Sequence, residues 1–148
     1  MASLREFLKE KGYYRIKLSE TPTGHFKFNL KLNDVAGSFI LDTGASNTCV
    51  DFKALDQFKL FAEDSDIKAA GAGAVDMLTQ LSSKNTISIK KWKVKNVDVV
   101  LFDLSHVNMA LTNHDILAVD GIIGADILNR AKAVIDYEYH CLYIKKQG

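Results

Sequence analysis

The chain holds a single Asp42-Thr43-Gly44, at the end of the apolar run Phe39-Ile40-Leu41 and just ahead of Ala45-Ser46. A carboxylate delivered at the end of a buried strand, on a turn that needs glycine, could serve in acid–base chemistry. Two carboxyls a few ångströms apart cannot both ionise, so such a pair shares one proton; one member accepts a proton from water while the other donates. Asp42 supplies one member. Thr43 adds a rotationally stiff, β-branched side chain whose hydroxyl can hydrogen-bond backbone across a subunit seam. Gly44 lets two chains approach closely and reaches torsions closed to other residues. The triplet occurs once, so one copy of it offers a single carboxyl to such a pair.

Further along, Val119-Asp120-Gly121-Ile122-Ile123-Gly124-Ala125-Asp126-Ile127-Leu128 reads as an apolar strand ending in glycine, followed by a short helix. Together, Leu41-Asp42-Thr43-Gly44-Ala45-Ser46 and Gly121-Ile122-Ile123-Gly124-Ala125-Asp126-Ile127-Leu128 resemble the retropepsin-like aspartic proteases, which include retroviral proteases and single-motif bacterial relatives. The resemblance runs over residues 25–146. It implies an all-β fold with a few short helices, a closed β architecture with one lobe per chain, and a homodimer in which Asp42 of each chain faces the other. The reaction implied is endopeptidase cleavage of a polypeptide by an activated water, with no cofactor. Ile122, Ile123 and Gly124 would pack beneath the catalytic turn and support it together with Thr43, Gly44 and Ala45. Asp126, near the start of the helix, is expected to satisfy free amides there and to brace the same turn. Asp120 reads as a turn or strand-end residue. Ala45 stands where serine or threonine would set a further hydroxyl beside the carboxylate.

The elements that must hold these residues follow from periodicity. Ser3 and Glu6 form a capping box, and Leu4, Phe7 and Leu8 make a short amphipathic helix that stops at Gly12. Residues 1–24 are thus a helix-and-strand extension of a single domain spanning 1–148. Tyr13–Leu18 and Phe26–Leu32 read as strands around Thr21-Pro22-Thr23-Gly24, and Asn33-Asp34 turns into the strand that ends at Asp42. Thr48–Phe52 continues as a strand. Lys53–Phe61 reads as a short helix burying Leu55, Phe58 and Phe61, and the pattern is mostly β from there to Ser105. Ala70, Gly71, Ala72 and Gly73 form a small-residue tip. By the resemblance, this is the flap that closes over substrate; the plainer alternative is a glycine-rich turn. Ala133–Tyr137 and Cys141–Lys145 read as a closing hairpin.

Composition narrows the classes. In 148 residues, 47% hydrophobic content suffices for one domain with a real core. A net charge of +1 gives no long-range field for nucleic acid, and no apolar run reaches the roughly eighteen residues of a membrane span. Lys91, Lys93 and Lys95 alternate around Trp92 and Val94 as the solvated face of a strand, which is a better account than nucleic-acid binding. His25, His106, His114 and His140 show no metal-ligand spacing. Cys49 and Cys141 read as small buried hydrophobes outside any disulfide framework. With no secretory apolar segment at the N-terminus, a cytoplasmic location is the expectation. The competing function is a catalytically silent dimerisation or peptide-binding module on the same fold.

Overall fold

Four apolar residues spaced by two, Phe26, Phe28, Leu30 and Leu32, are all buried, while Asn29 and Lys31 between them are exposed. That alternation makes the second long strand of the chain a wall with one face to the core. The structure, a computed structural model, describes residues 2–64 and 79–147. In chain order its elements are α1 (Leu4–Glu10), β1 (Tyr13–Lys17), β2 (Ser19–Glu20), β3 (Phe26–Leu32), β4 (Val35–Leu41), β5 (Cys49–Asp51), β6 (Glu63–Asp64), β7 (Gln80–Ile89), β8 (Trp92–Phe102), α2 (Ser105–Thr112), β9 (Gly121–Ile123), α3 (Ala125–Arg130), β10 (Val134–Asp136) and β11 (Cys141–Lys145).

The main sheet runs β2-β3-β4-β9-β5-β8-β7-β6, and β3 also pairs with β7. The run from β3 to β7 therefore closes on itself as a barrel. Lys31 lies opposite Ser88 and Leu32 opposite Ile87 at the closure. Asn33 and Asp34, both at positive φ, form the tight turn between β3 and β4, the conformation that a two-residue hairpin requires. Asn33 then fastens the closure, because its Nδ2 donates to Asn85 Oδ1 at 2.9 Å and to the Phe58 carbonyl at 2.8 Å. A second sheet, β1-β11-β10, packs α1 on its face through Leu8, Cys141 and Tyr143. The N-terminal extension is thus tied to the body along all of β1.

The central strands are apolar on both faces. Phe39, Leu41, Val50, Leu101 and Ile123 enter one cluster, whereas Ile40, Cys49, Val100, Phe102 and Ile122 enter another. Such two-sided burial explains why these segments read as continuous apolar runs rather than alternating ones. The second cluster is closed by Leu104 and Leu111 of the α2 region together with Val119.

Three expectations change here. Lys53–Phe61 is not a helix: a 3-10 turn covers Phe52–Ala54, and Lys59 sits at positive φ. Phe58 is fully buried, Leu55 half-buried, and Phe61 is 85% exposed. Folding as turns sends Phe58 alone beneath Gly37, where a Cβ would lie 2.5 Å from the Phe58 ring. Lys91 belongs with Lys90 to the turn between β7 and β8, leaving Lys93 and Lys95 as the exposed strand lysines. In α1 only Leu8 is buried; Leu4 and Phe7 are 45% and 50% exposed. The Ser3 cap holds, with Ser3 Oγ accepting from the Glu6 N–H at 3.1 Å.

Candidate active site

β9 is only three residues long, yet it lies between β4, which it meets in parallel, and β5, which it meets antiparallel. This insertion seats the start of the turn that follows β4. Ile123 lies opposite Leu41, and the Asp42 N–H donates to the Ile123 carbonyl at 3.0 Å. Ile122 and Ile123 point into opposite apolar clusters, so both are core side chains. Glycine is required at 121, because a Cβ there would meet the Cys49 carbonyl oxygen at 2.3 Å.

The turn has two unlike limbs. In residues 42–44, Asp42 is half-buried and Thr43 and Gly44 are exposed. The Gly44 N–H donates to Asp42 Oδ1 at 2.9 Å, which orients the carboxylate within its own loop. Gly44 is not at positive φ, contrary to the torsional role expected of it. What singles it out is closeness, since a Cβ at 44 would stand 3.2 Å from Asp42 Oδ1.

Residues 45–48 are stapled to the start of α3. The Ala125 N–H donates to the Ala45 carbonyl at 2.7 Å. Thr48, wholly buried, accepts from the Gly124 N–H at 3.1 Å through its Oγ1. The same hydroxyl donates to Asp126 Oδ1 at 2.8 Å, and the Thr48 N–H donates to Asp126 Oδ2 at 3.0 Å. Gly124 has no room for a side chain: its Cβ would meet the Ala45 carbonyl oxygen at 2.6 Å. Asp126 therefore spends its carboxylate on Thr48 rather than on the amides of its own helix, for which it was expected. Ala45 is buried among Ile40, Cys49 and Ile122, so a serine there would set its hydroxyl into an apolar cluster.

Asp42, Thr43, Gly44, Ala45, Ile122, Ile123, Gly124 and Asp126 thus lie around one turn. Ala70, Gly71, Ala72 and Gly73 lie outside the described residues. Thr48 was not anticipated. Its partner is 78 residues away, and a threonine opening a strand carries no signal of its own.

Burial, with the nearby charges of Asp126 and Asp42 adding to it, pushes the Cys49 thiol up to about 12, so it stays protonated and is no nucleophile. Among the described residues no histidine, cysteine or carboxylate cluster could hold a metal, and no helix is long and apolar enough to cross a membrane.

At the other end of β9, Asp120 ties three segments. Its N–H donates to the Ser38 carbonyl at 2.8 Å, its Oδ2 accepts from the Ser38 N–H at 2.9 Å, and its carbonyl accepts from the Asp51 N–H at 2.9 Å. It is a strand-end residue, as its sequence position suggests. Beside Thr43, the exposed surface carries a pocket of about 290 Å³ lined also by Leu128, Asn129, Lys132, Ala133 and Ile135.

Residues 28–127 match the family model described as aspartyl protease. Among solved structures, the chain is similar to a retropepsin-like aspartic protease from Rickettsia conorii, at 20% identity and a TM-score of 0.62 over 89% of each chain. It is similar to EIAV protease complexed with the inhibitor HBY-793, at 19% identity and a TM-score of 0.54 over 74% of this chain and 90% of that one. It also resembles the retroviral protease-like domain of Ddi1 from Leishmania major, at 16% identity and a TM-score of 0.54 over 82% and 88%. No curated protein matches it in sequence. At these identities the solved structures establish the fold, which is the mostly-β, retropepsin-like one with few short helices.

Proposed function

Since the chain belongs to the aspartyl protease family, we propose that it is an endopeptidase whose site forms between two copies, with Asp42 of one protomer facing the partner's Asp42. The observation that carries this reading is the state of the turn. An aspartate whose backbone is seated on Ile123 and whose carboxylate is oriented by Gly44 stands on a turn braced to α3 through Ala45 and Thr48, one per chain. A two-fold axis through that limb makes the contact isologous, so every residue of the site acts twice.

Two further features favour such a seam. β10 is bonded only to β11 among the described residues, which leaves its other edge open, and an open edge is a template for pairing. Ile135 of that strand lines the pocket beside Thr43.

The chemistry follows from two carboxyls sharing one proton. The ionised carboxylate takes a proton from water as the water oxygen adds to the peptide carbonyl. The protonated carboxyl gives its proton to the carbonyl oxygen. Collapse of the tetrahedral adduct breaks the C–N bond, and a proton passes from the dyad to the leaving nitrogen. The Gly44 N–H orients the carboxylate for these transfers, while Thr48 and Asp126 brace the loop. The substrate is a polypeptide in extended form, bound across the seam.

The test is a mixing experiment on cleavage of a peptide library. Specific activity falls on dilution as the dimer dissociates, and excess Asp42→Asn protein titrated into the wild type poisons it by forming one-carboxyl pairs. Activity that is independent of both dilution and added variant would overturn the shared site. A folded, dimeric protein that cleaves nothing would instead support the peptide-binding module.

A further inference from the structure

Val119 is buried and lies just ahead of Asp120, outside any strand, and both of its backbone groups are bonded to one side chain. Asn108 Oδ1 accepts from the Val119 N–H at 2.8 Å, and Asn108 Nδ2 donates to the Val119 carbonyl at 3.1 Å. The same Nδ2 lies 3.5 Å from Asp51 Oδ2. A side-chain amide offers donor and acceptor together, which a carboxylate or a hydrophobe of this size does not.

Asn108 sits midway along α2, and the chain it clasps leads through the Asp120 knot into β9 and on to Ile123, whose carbonyl holds the Asp42 N–H. Asn108, Val119 and Asp120 also line a cavity of about 560 Å³ together with Asp51, Lys53 and Met109. If the amide is lost, the freed Val119 groups can turn into that space to find water, since buried backbone groups do not stay unpaired. The segment ahead of β9 then shifts rather than unfolds, and a strand of three residues has little to absorb the shift.

We propose that Asn108 is a positioning residue for Asp42, setting the start of β9 from α2 so that the backbone seat of the carboxylate is fixed. The catalytic consequence rests on the protease reading; the mechanical one does not.

The test uses Asn108→Ala and Asn108→Asp with two readouts. In Asn108→Ala, kcat falls about tenfold with KM within about twofold, because the loss is of geometry at the reacting groups. Amide exchange at Asp42 quickens about tenfold, while that at Arg15 and Tyr143 in the β1–β11 ladder is unchanged.

In Asn108→Asp, the ionised carboxylate cannot donate to the Val119 carbonyl and faces Asp51 and Asp120 across the cavity beside Lys53. Once protonated, it can donate. The ratio of variant to wild-type kcat therefore rises as pH falls, whereas the Asn108→Ala ratio stays flat. An Asn108→Ala protein with unaltered kcat and unaltered Asp42 exchange, even if it melts earlier, would reduce Asn108 to a structural brace. So would a pH-independent ratio for Asn108→Asp. Should Asn108→Ala fail to fold, Asn108→Asp decides alone. A wild type without hydrolytic activity would sink the protease reading, and Asp42 exchange would still decide the coupling.

Discussion

Residues 42–44 and 45–48 are consecutive in one turn, yet they are held differently. On the first limb Thr43 and Gly44 are exposed, and Gly44 supplies the bond to the half-buried Asp42 carboxylate. On the second, Ala45 and Thr48 are buried and held to α3 by hydrogen bonds, with Ser46 exposed between them. The difference teaches where one chain finishes its work. It completes the support and leaves the reactive limb open, which is the division expected when a second body must close the site.

The comparison breaks most sharply at Asp42. If the proposed Asp42 dyad forms, Asp42→Asn removes the ionisable group from both of its halves, so peptide hydrolysis falls by about 10³-fold or more. Fold and self-association persist, as circular dichroism and sedimentation would show. Turnover at the wild-type rate would rule out the chemistry.

A smaller effect sharpens the comparison on stability. Threonine to valine is made once on each limb and followed by urea unfolding of dilute protein. Thr48→Val strands the buried Gly124 N–H and one Asp126 oxygen, and costs about 2–3 kcal/mol. Thr43→Val, at an exposed position, changes stability by less than about 0.5 kcal/mol while weakening self-association. Equal costs on the two limbs would erase the distinction.

The smallest effect is alkaline. Because the Cys49 thiol is raised from 9.0 to about 12 by burial and then by the charges of Asp126 and Asp42, the unfolded chain releases that proton first. Its contribution to stability is intact below about pH 9 and is lost as pH rises through the window up to 12. Cys49→Ala should flatten that part of the stability curve relative to the wild type. Identical slopes would show the thiol to be less sealed than its burial implies.

Much of this site was legible because its signals are local. Strand alternation at Phe26–Leu32, the Asn33-Asp34 turn, the Ser3 cap and the glycine-terminated apolar strand before α3 each announce themselves within a few residues. Two features did not, for physical reasons. α2 buries only Leu111 and has no side-chain cap at Leu104; instead Asp103 accepts from the Ser105 N–H at 2.8 Å. Its weak amphipathic pattern therefore left residues 105–118 unassigned. The Thr48–Asp126 and Asn108–Val119 clasps join residues across loops, and neither partner carries a pattern pointing to the other. The sequence puts Phe58 in the core, where it lies, but on a helix that does not form, since burial follows from its side chain and helicity does not.

The placement of β9 between β4 and β5 also sets an order in time. A chain made from its N-terminus exposes Asp42 long before residues 121–126 exist, and until they fold back the strands on either side of β9 have a gap between them. Pairings this distant in sequence form late. The acid consequently acquires its seat only once residues 121–126 have been synthesised, so a nascent or truncated polypeptide that lacks them holds the motif without its support.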